Sequence, residues 1–444
     1  MRRRALPVAA VGVGLSALLV RRAAGGAASA LVERRFNVTT GPRPFAVSAA
    51  ARDLHSRLAV VDLHADSLLW GRDLLRRGDR GHVDVPRLVE GGVALQVLAA
   101  STKISRRHKL EGNDDRYDDV RWLALAQGWP PATWRRLLPR ALHLARRARS
   151  LETRSSGRFA VITTHEQLHR HMSGAPARRA TAGLLAIEGA HALDGELANL
   201  EILFDAGYRM LGLAHFFDNE FAGSAHGFGR GLTPSGRILL ERAEAWGMVI
   251  DVAHSSPATI DDVLAIATRP VVASHTGMRG VADNIRNLSD EQARGIARTG
   301  GVIGIGFWAH AMGGEGLPWI VRSIRHAVNV AGIEHVALGS DWDGTVAVPF
   351  DASGIVQLTD ALLTDGFDEP AIASIMGLNA RRVLLAVLPS LPEAETQAAS
   401  SKGGYSSGGG SVWSAAADGS GREVLVDRAA AERADWRWGD ESNQ

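Results

Sequence analysis

Eight short apolar runs punctuate the chain, at residues 58–63, 93–99, 184–187, 210–214, 248–252, 270–274, 302–307 and 335–339. Each ends in polar residues or glycine. Near-continuous apolar runs are what strands look like when helices cover both faces of a sheet. Longer amphipathic stretches separate them, 241–246 and 261–267 among them, and these are long enough for crossover helices. The repeat predicts an α/β protein with a TIM-type (β/α)8 barrel. A doubly wound open sheet is the competing architecture. The interval 105–183 is long and carries Trp122, Trp129, Trp134 and many arginines. It is expected to be a helical insertion between the second and third strands, with the basic run Arg146–Arg149 on one helix face.

The barrel is expected to occupy residues 52–388. Before it, Arg2, Arg3 and Arg4 precede an uncharged apolar run of 16 residues, closed by Arg21 and Arg22. That is short of the roughly 20 residues of a full span. Residues 1–22 are expected to be a signal segment or membrane anchor, followed by a linker over 23–51. Cationic residues ahead of the run favour export of everything after it, to a periplasmic, extracellular or membrane-anchored position. Residues 389–444 are rich in Ser, Gly, Ala and charge, and are expected to be a disordered, low-complexity tail without a lipid-anchor signal.

Composition narrows the chemistry. The chain has no cysteine, which excludes disulfides, a thiol nucleophile and every cysteine-based metal site. With 50 basic and 48 acidic residues the net charge is only +2, so nucleic acid is not an expected partner. Any metal must be held by His, Asp, Glu or backbone oxygen, and 16 histidines are available.

Those residues cluster at one end of the apolar runs. His64 and Asp66 follow the first run, Glu188 the third, His215 the fourth, His254 the fifth, His275 the sixth, and Asp341 and Asp343 the eighth. Residues two apart in extended backbone face the same way, so His64 and Asp66 can reach one ion. In a barrel, all these strand ends converge on the face where active sites lie. A lone histidine there is usually structural, and Asp62 and Asp251 read as supporting residues; Asp343-Gly344 also fits a turn. Burying so many imidazoles and carboxylates together without an ion would cost several kcal/mol. Nitrogen and carboxylate ligands suit Zn²⁺, with Mn²⁺ or Co²⁺ next. Five candidate ligands exceed the usual three of one catalytic zinc. They divide into His64, Asp66 and Glu188 on one ion and Glu188, His254 and His275 on the other, with Glu188 bridging. The glycine-rich stretch 223–229 reads as an active-site loop. Arg286 is placed to hold a substrate carboxylate, or is a solvated arginine.

Taken in order, these motifs resemble the membrane dipeptidase (renal dipeptidase) family, the M19 metallopeptidases. The resemblance covers roughly residues 55–388. It rests on His64-Ala65-Asp66, Ile187-Glu188-Gly189 followed by His191, Leu213-Ala214-His215, Asp251-Val252-Ala253-His254-Ser255, Ala273-Ser274-His275, Arg286-Asn287 and Gly339-Ser340-Asp341-Trp342-Asp343-Gly344. The resemblance implies two zinc ions bridged by Glu188 and a hydroxide, with His64 and Asp66 on one and His254 and His275 on the other. It implies that His215 contacts the substrate's carbonyl side, that Arg286 binds the free carboxylate of a dipeptide, and that Asp341 handles protons. The expected activity is hydrolysis of dipeptides. Other hydrolysis on a bridged metal pair (lactone or phosphoester) and a non-catalytic metal- or peptide-binding role are the alternatives. Where the family has His-Asn-Asp, this chain has His64-Ala65-Asp66, which keeps both ligands. Any homodimer is held without a disulfide, since cysteine is absent.

Overall fold

In the computed structural model, residues 26–42, 44–104, 109, 111–173 and 180–390 are described, together with two strands further on, Trp413–Ala417 and Glu423–Asp427. Eight parallel strands form a closed ring: β1 (Val60–Ala65), β2 (Val93–Ser101), β3 (Thr181–Glu188), β4 (Tyr208–Gly212), β5 (Val249–Asp251), β6 (Val271–Thr276), β7 (Val302–Ile305) and β8 (Val336–Leu338). Neighbours pair in chain order. β2 lies against β3 from Leu95 opposite Ala182 to Ser101 opposite Glu188, and β8 returns to β1 with Leu338 opposite Asp62. Closure at both seams is the expected (β/α)8 barrel and excludes an open sheet.

All eight apolar runs fall on these strands, and every strand residue is buried, as helices on the outside require. Crossover helices start where local chemistry stops extended backbone. Thr233-Pro234 opens Pro234–Ala245, and Ser256-Pro257 opens Pro257–Ile266, each hydroxyl accepting from a backbone N–H of the first turn. Ser289 and Gln292 form a capping box at the start of Asp290–Arg298. One buried cluster joins Val61, Leu63, Leu95, Val97, Leu184, Met210, Val249, Val272 and Val302 to Val383, Leu384 and Val387 of the last helix. That helical stretch, Glu369–Val387, is the one segment among the described residues long and apolar enough to cross a membrane, at mean hydropathy 1.3. Half of it is buried in the fold, the mark of a core helix.

The insertion between β2 and β3 is mainly helical, with Asp119–Ala126, Leu137–Arg154 and His165–Ser173. It also carries a strand that the sequence pattern did not signal, Phe159–Ile162, paired with the first half of β3. Tyr208 of β4, fully buried, donates its hydroxyl to Ala141 O at 2.7 Å and pins the long insertion helix to the barrel. The linker expected over 23–51 holds, from residue 26, a helix over 26–36, a two-residue strand Val38–Thr39 paired with Ala347–Val348, and the helix Ala49–Arg57. Glu33 of the first helix is buried and bonds Arg72 and Arg80. The segment expected as an anchor, 1–22, lies outside the described residues, and so does most of 389–444. Within that tail the two described strands pair antiparallel, Trp413 opposite Asp427.

Candidate metal centre

The C-terminal ends of six barrel strands deliver seven acidic and imidazole side chains to one point. The focus is Glu188 Oε1 at the end of β3. His64 Nε2, His215 Nε2 and His254 Nε2 each lie 3.4 Å from it, and His275 Nε2 lies 3.6 Å away. His64 Nε2 is also 3.7 Å from Asp66 Oδ2 and 3.9 Å from Asp341 Oδ1. Three sets have ligand atoms mutually within 4.8 Å: His64, Glu188 and His275; Glu188, His215 and His254; His64, Asp66 and Asp341. None of the seven is more than 9% exposed.

Local backbone aims these groups. His254 and Asp341 sit in the left-handed region, φ 62° and 59°, where residues with a Cβ are seldom found. Such strain persists where the surroundings over-determine it, typically at functional sites. Gly189, at φ 95°, follows Glu188; a Cβ there would lie 2.3 Å from the His191 ring, so only glycine allows that turn.

The electrostatics describe a site that holds protons when it holds no cation. Burial pushes Glu188 up to about 7, and the charge of Asp66 adds to this. Burial raises Asp341 well above the usual carboxylate range, against the pull of His64. Burial alone would lower His64, but Glu188 and Asp66 more than offset it and hold its imidazole at about 10. His215, His254 and His275 are pushed well below the usual imidazole range, first by burial and then by neighbouring cationic groups. Three buried neutral imidazoles around carboxylates form a donor set that fits divalent cations, since lone pairs and negative charge then share a counter-charge.

Supporting contacts fix the orientation of these groups. Asp251 accepts from Ser274 N (2.8 Å), Ala253 N (2.9 Å) and Ser274 Oγ (2.6 Å). Ser274 Oγ, having given its proton to Asp251, accepts from His275 Nδ1 at 2.8 Å. Ser101 Oγ, at the end of β2, lies 2.9 Å from Asp66 Oδ1 and also bonds Glu188. Arg286 Nη2 donates to His275 O at 2.7 Å, and its guanidinium lies 5.9 Å from the Trp308 ring centre. Burial lowers Arg286 to about 10, with Asp341 the main opposing influence.

The structure thus brings together His64, Asp66, Glu188, His215, His254, His275 and Asp341, with Arg286 beside His275. Distances alone do not divide the ligands into the two sets expected, because four imidazoles converge on the same oxygen of Glu188. Arg286 is buried, which removes the solvated-arginine alternative. The stretch 223–229 abuts the site: Ala225 N donates to His254 O at 2.7 Å, and the His226 ring centre is 5.5 Å from that of His254. Asp343 lies apart from this cluster. It bonds Ser67, Arg72 and His82 N, is fully buried, and is held low because Arg72 and His82 outweigh the effect of burial. Sequence reasoning missed Ser101 and Arg72 and gave Ser274 no role of its own; a strand-end serine carries no signal until its neighbours are placed.

The family model described as membrane dipeptidase (peptidase family M19) matches residues 48–397. An uncharacterized dipeptidase of Schizosaccharomyces pombe is 31% identical over 217 residues, which are 46% of this chain and 53% of that protein. The chain therefore spans about half the length of that relative. Among solved structures, dipeptidase AC, a metallopeptidase of family M19, is 26% identical at a TM-score of 0.59, over 75% of this chain and 99% of its own. A metallopeptidase from Rhodobacter sphaeroides, solved with a phosphinate mimic of the dipeptide L-Ala-D-Ala, is 25% identical at a TM-score of 0.59, over 74% and 99% of the two chains.

Proposed function

This chain belongs to the membrane dipeptidase family, M19, and from that premise we propose that it is a zinc dipeptidase with two ions per chain. The observation that carries the reading is the convergence of four imidazole nitrogens, each within 3.6 Å, on one carboxylate oxygen of Glu188. His64, Asp66 and Glu188 would hold one ion; Glu188, His254 and His275 the other. Zinc bound there supplies Lewis acidity for the scissile carbonyl and activates water near neutral pH.

The chain's own groups do the rest. Arg286, fixed by its bond to His275 O, keeps N–H groups for the free carboxylate of a dipeptide, a charge-assisted pair. That anchor sets the scissile carbonyl at a fixed distance from the free carboxylate and so selects the peptide bond nearest the C-terminus. His215 Nε2 turns to the carbonyl oxygen and stabilises negative charge as it develops there. Asp341, 3.9 Å from His64 Nε2 in the buried mouth, would be ionised once cations are bound beside it, and would then accept the proton of the attacking water and return it to the leaving amine. Asp343, tied down by Arg72, takes no part in proton transfer. Residues 1–22 would hold the barrel at a membrane or direct its export.

Chelation followed by metal add-back tests this reading on a small dipeptide panel with C-terminally amidated and tripeptide controls. Free-carboxylate dipeptides should be hydrolysed only with metal, and the controls poorly. Undiminished turnover after exhaustive chelation, or equal turnover of the amides, contradicts it.

A further inference from the structure

Outside the metal centre, one cavity of about 290 Å³ concentrates positive charge. It lies between the long insertion helix Leu137–Arg154 and the segment that follows β1. Its wall includes Arg72, His143, Arg146, Arg147, Ser150 and Arg154. On the helix, residues 143, 146, 147, 150 and 154 recur at three- and four-residue steps, so they share one face. The opposite face, with Leu138, Ala141, Leu144, Ala145 and Ala148, is buried.

A row of arginines on a helix is ordinarily a solvated surface, each head paired or in water. It describes Arg146 and Ser150, which are exposed, but not Arg147, which is half-buried. Arg72 is committed to Glu33 and Asp343, and Arg154 to Asp73. Arg146 and Arg147 have no ion pair among the described residues. Arg147 is nevertheless drawn inward, donating to Trp70 O and reaching Gln127 Oε1 at 3.5 Å. Burial lowers it to about 10, and the positive charge of Arg72 adds to this. His143 is likewise driven down to about 4, by burial and then by Arg147 and Arg146. Arg146 at the rim and Arg147 in the wall thus face one open cavity with no carboxylate paired to either among the described residues.

We propose that the cavity walled by Arg146 and Arg147 is an anion site for a phosphate-type group. Guanidinium forks match the paired free oxygens of a tetrahedral phosphate group, whether monoester or diester. A phosphorylated solute and a phospholipid headgroup present the same chemistry. The second source has a structural setting: the helix over 26–36, whose Glu33 bonds cavity-lining Arg72, exposes Leu31 and Phe36.

The test uses the metal-loaded full chain. Melting temperature is followed against inorganic phosphate at constant ionic strength, and binding to phosphatidylcholine vesicles with and without phosphatidylglycerol is measured alongside. Wild type should show a saturable rise of about 2–5 °C with phosphate, or binding that requires the anionic lipid. The double variant Arg146→Gln/Arg147→Gln should lose whichever response is seen, by at least about tenfold in half-saturation, consistent with the loss of charged hydrogen bonds. It should keep wild-type circular dichroism and dipeptide hydrolysis. Arg146→Lys/Arg147→Lys should retain part of the response. A phosphate response lost in the Gln variant identifies a soluble ligand; a vesicle response lost in the Gln variant identifies a headgroup; vesicle binding equal in the two forms belongs to residues 1–22 and overturns the headgroup reading. Equal phosphate responses in wild type and the Gln variant would place the ion at the metal centre and overturn the proposal, as would no response in either arm.

Discussion

His254 Nε2 and His275 Nε2, from the ends of adjacent strands β5 and β6, face each other at 2.9 Å. The bond from His275 Nδ1 to Ser274 Oγ puts that ring's proton on Nδ1 and leaves Nε2 with a lone pair. The Asp251–Ser274–His275 relay thus selects the tautomer that a metal requires. Ser274→Ala removes the acceptor that holds it. Loss of such a support typically weakens metal binding by about 10–100-fold. Competition with a chromogenic chelator should show that loss; unaltered affinity would mean the relay does not control the ligand.

Arg286 should act on substrate binding more than on turnover. Arg286→Lys keeps the charge but loses the fork that bonds His275 O while leaving N–H groups for a carboxylate. A lost charge-assisted hydrogen bond is worth about 1.5–3 kcal/mol, or roughly 10–100-fold. Steady-state kinetics should show this mainly as raised KM for dipeptides. A change confined to kcat would instead assign Arg286 to the chemical step.

Arg72 is the hinge-pin of a buried charge network. It joins Glu33 of the helix over 26–36 to Asp343, two residues from Asp341. Arg72→Met leaves buried Asp343 without its cation and Glu33 with Arg80 alone, which costs about 3–5 kcal/mol. Denaturant unfolding should show a loss of that order, and a loss below about 1 kcal/mol would show that the network relaxes.

Acid should destabilise the barrel through buried neutral histidines as well as through metal loss. His55 bonds Thr359 Oγ1 at 2.8 Å and Gly91 O at 3.0 Å, and burial lowers its pKa from the ordinary 6.5. His82, fully buried, accepts from Asp343 N, and burial lowers it too. A lowered imidazole favours folding while neutral, so its contribution is complete above about pH 6.5 and is lost as pH falls below that. Melting temperature should drop between about pH 8 and pH 5. His55→Gln, remote from the metal centre, should drop less; an identical drop would remove His55 from the account.

The sequence made some of this architecture readable and hid the rest for identifiable reasons. Strands covered on both faces must be apolar throughout, so all eight barrel strands announce themselves. Strand-end His, Asp and Glu stand out against that background, and Glu188 and His275 could be located without coordinates. The strand Phe159–Ile162 could not, because four residues inside a helical insertion become a strand only when β3 offers an edge. The pairing of Val38–Thr39 with Ala347–Val348 spans some 300 residues and leaves no local pattern. Ser101 and Arg72 act through their partners. A serine or one arginine among many has no chemical signature until Glu188, Asp66, Glu33 and Asp343 are placed around it.

Zinc stoichiometry of the purified full chain, titrated from the chelated state while dipeptide hydrolysis is followed, tests the central claim most directly. The account predicts two equivalents bound per chain, activity that returns as the ions do, and loss of both metal and activity in Glu188→Gln. Retention of both ions and full turnover by Glu188→Gln would contradict it.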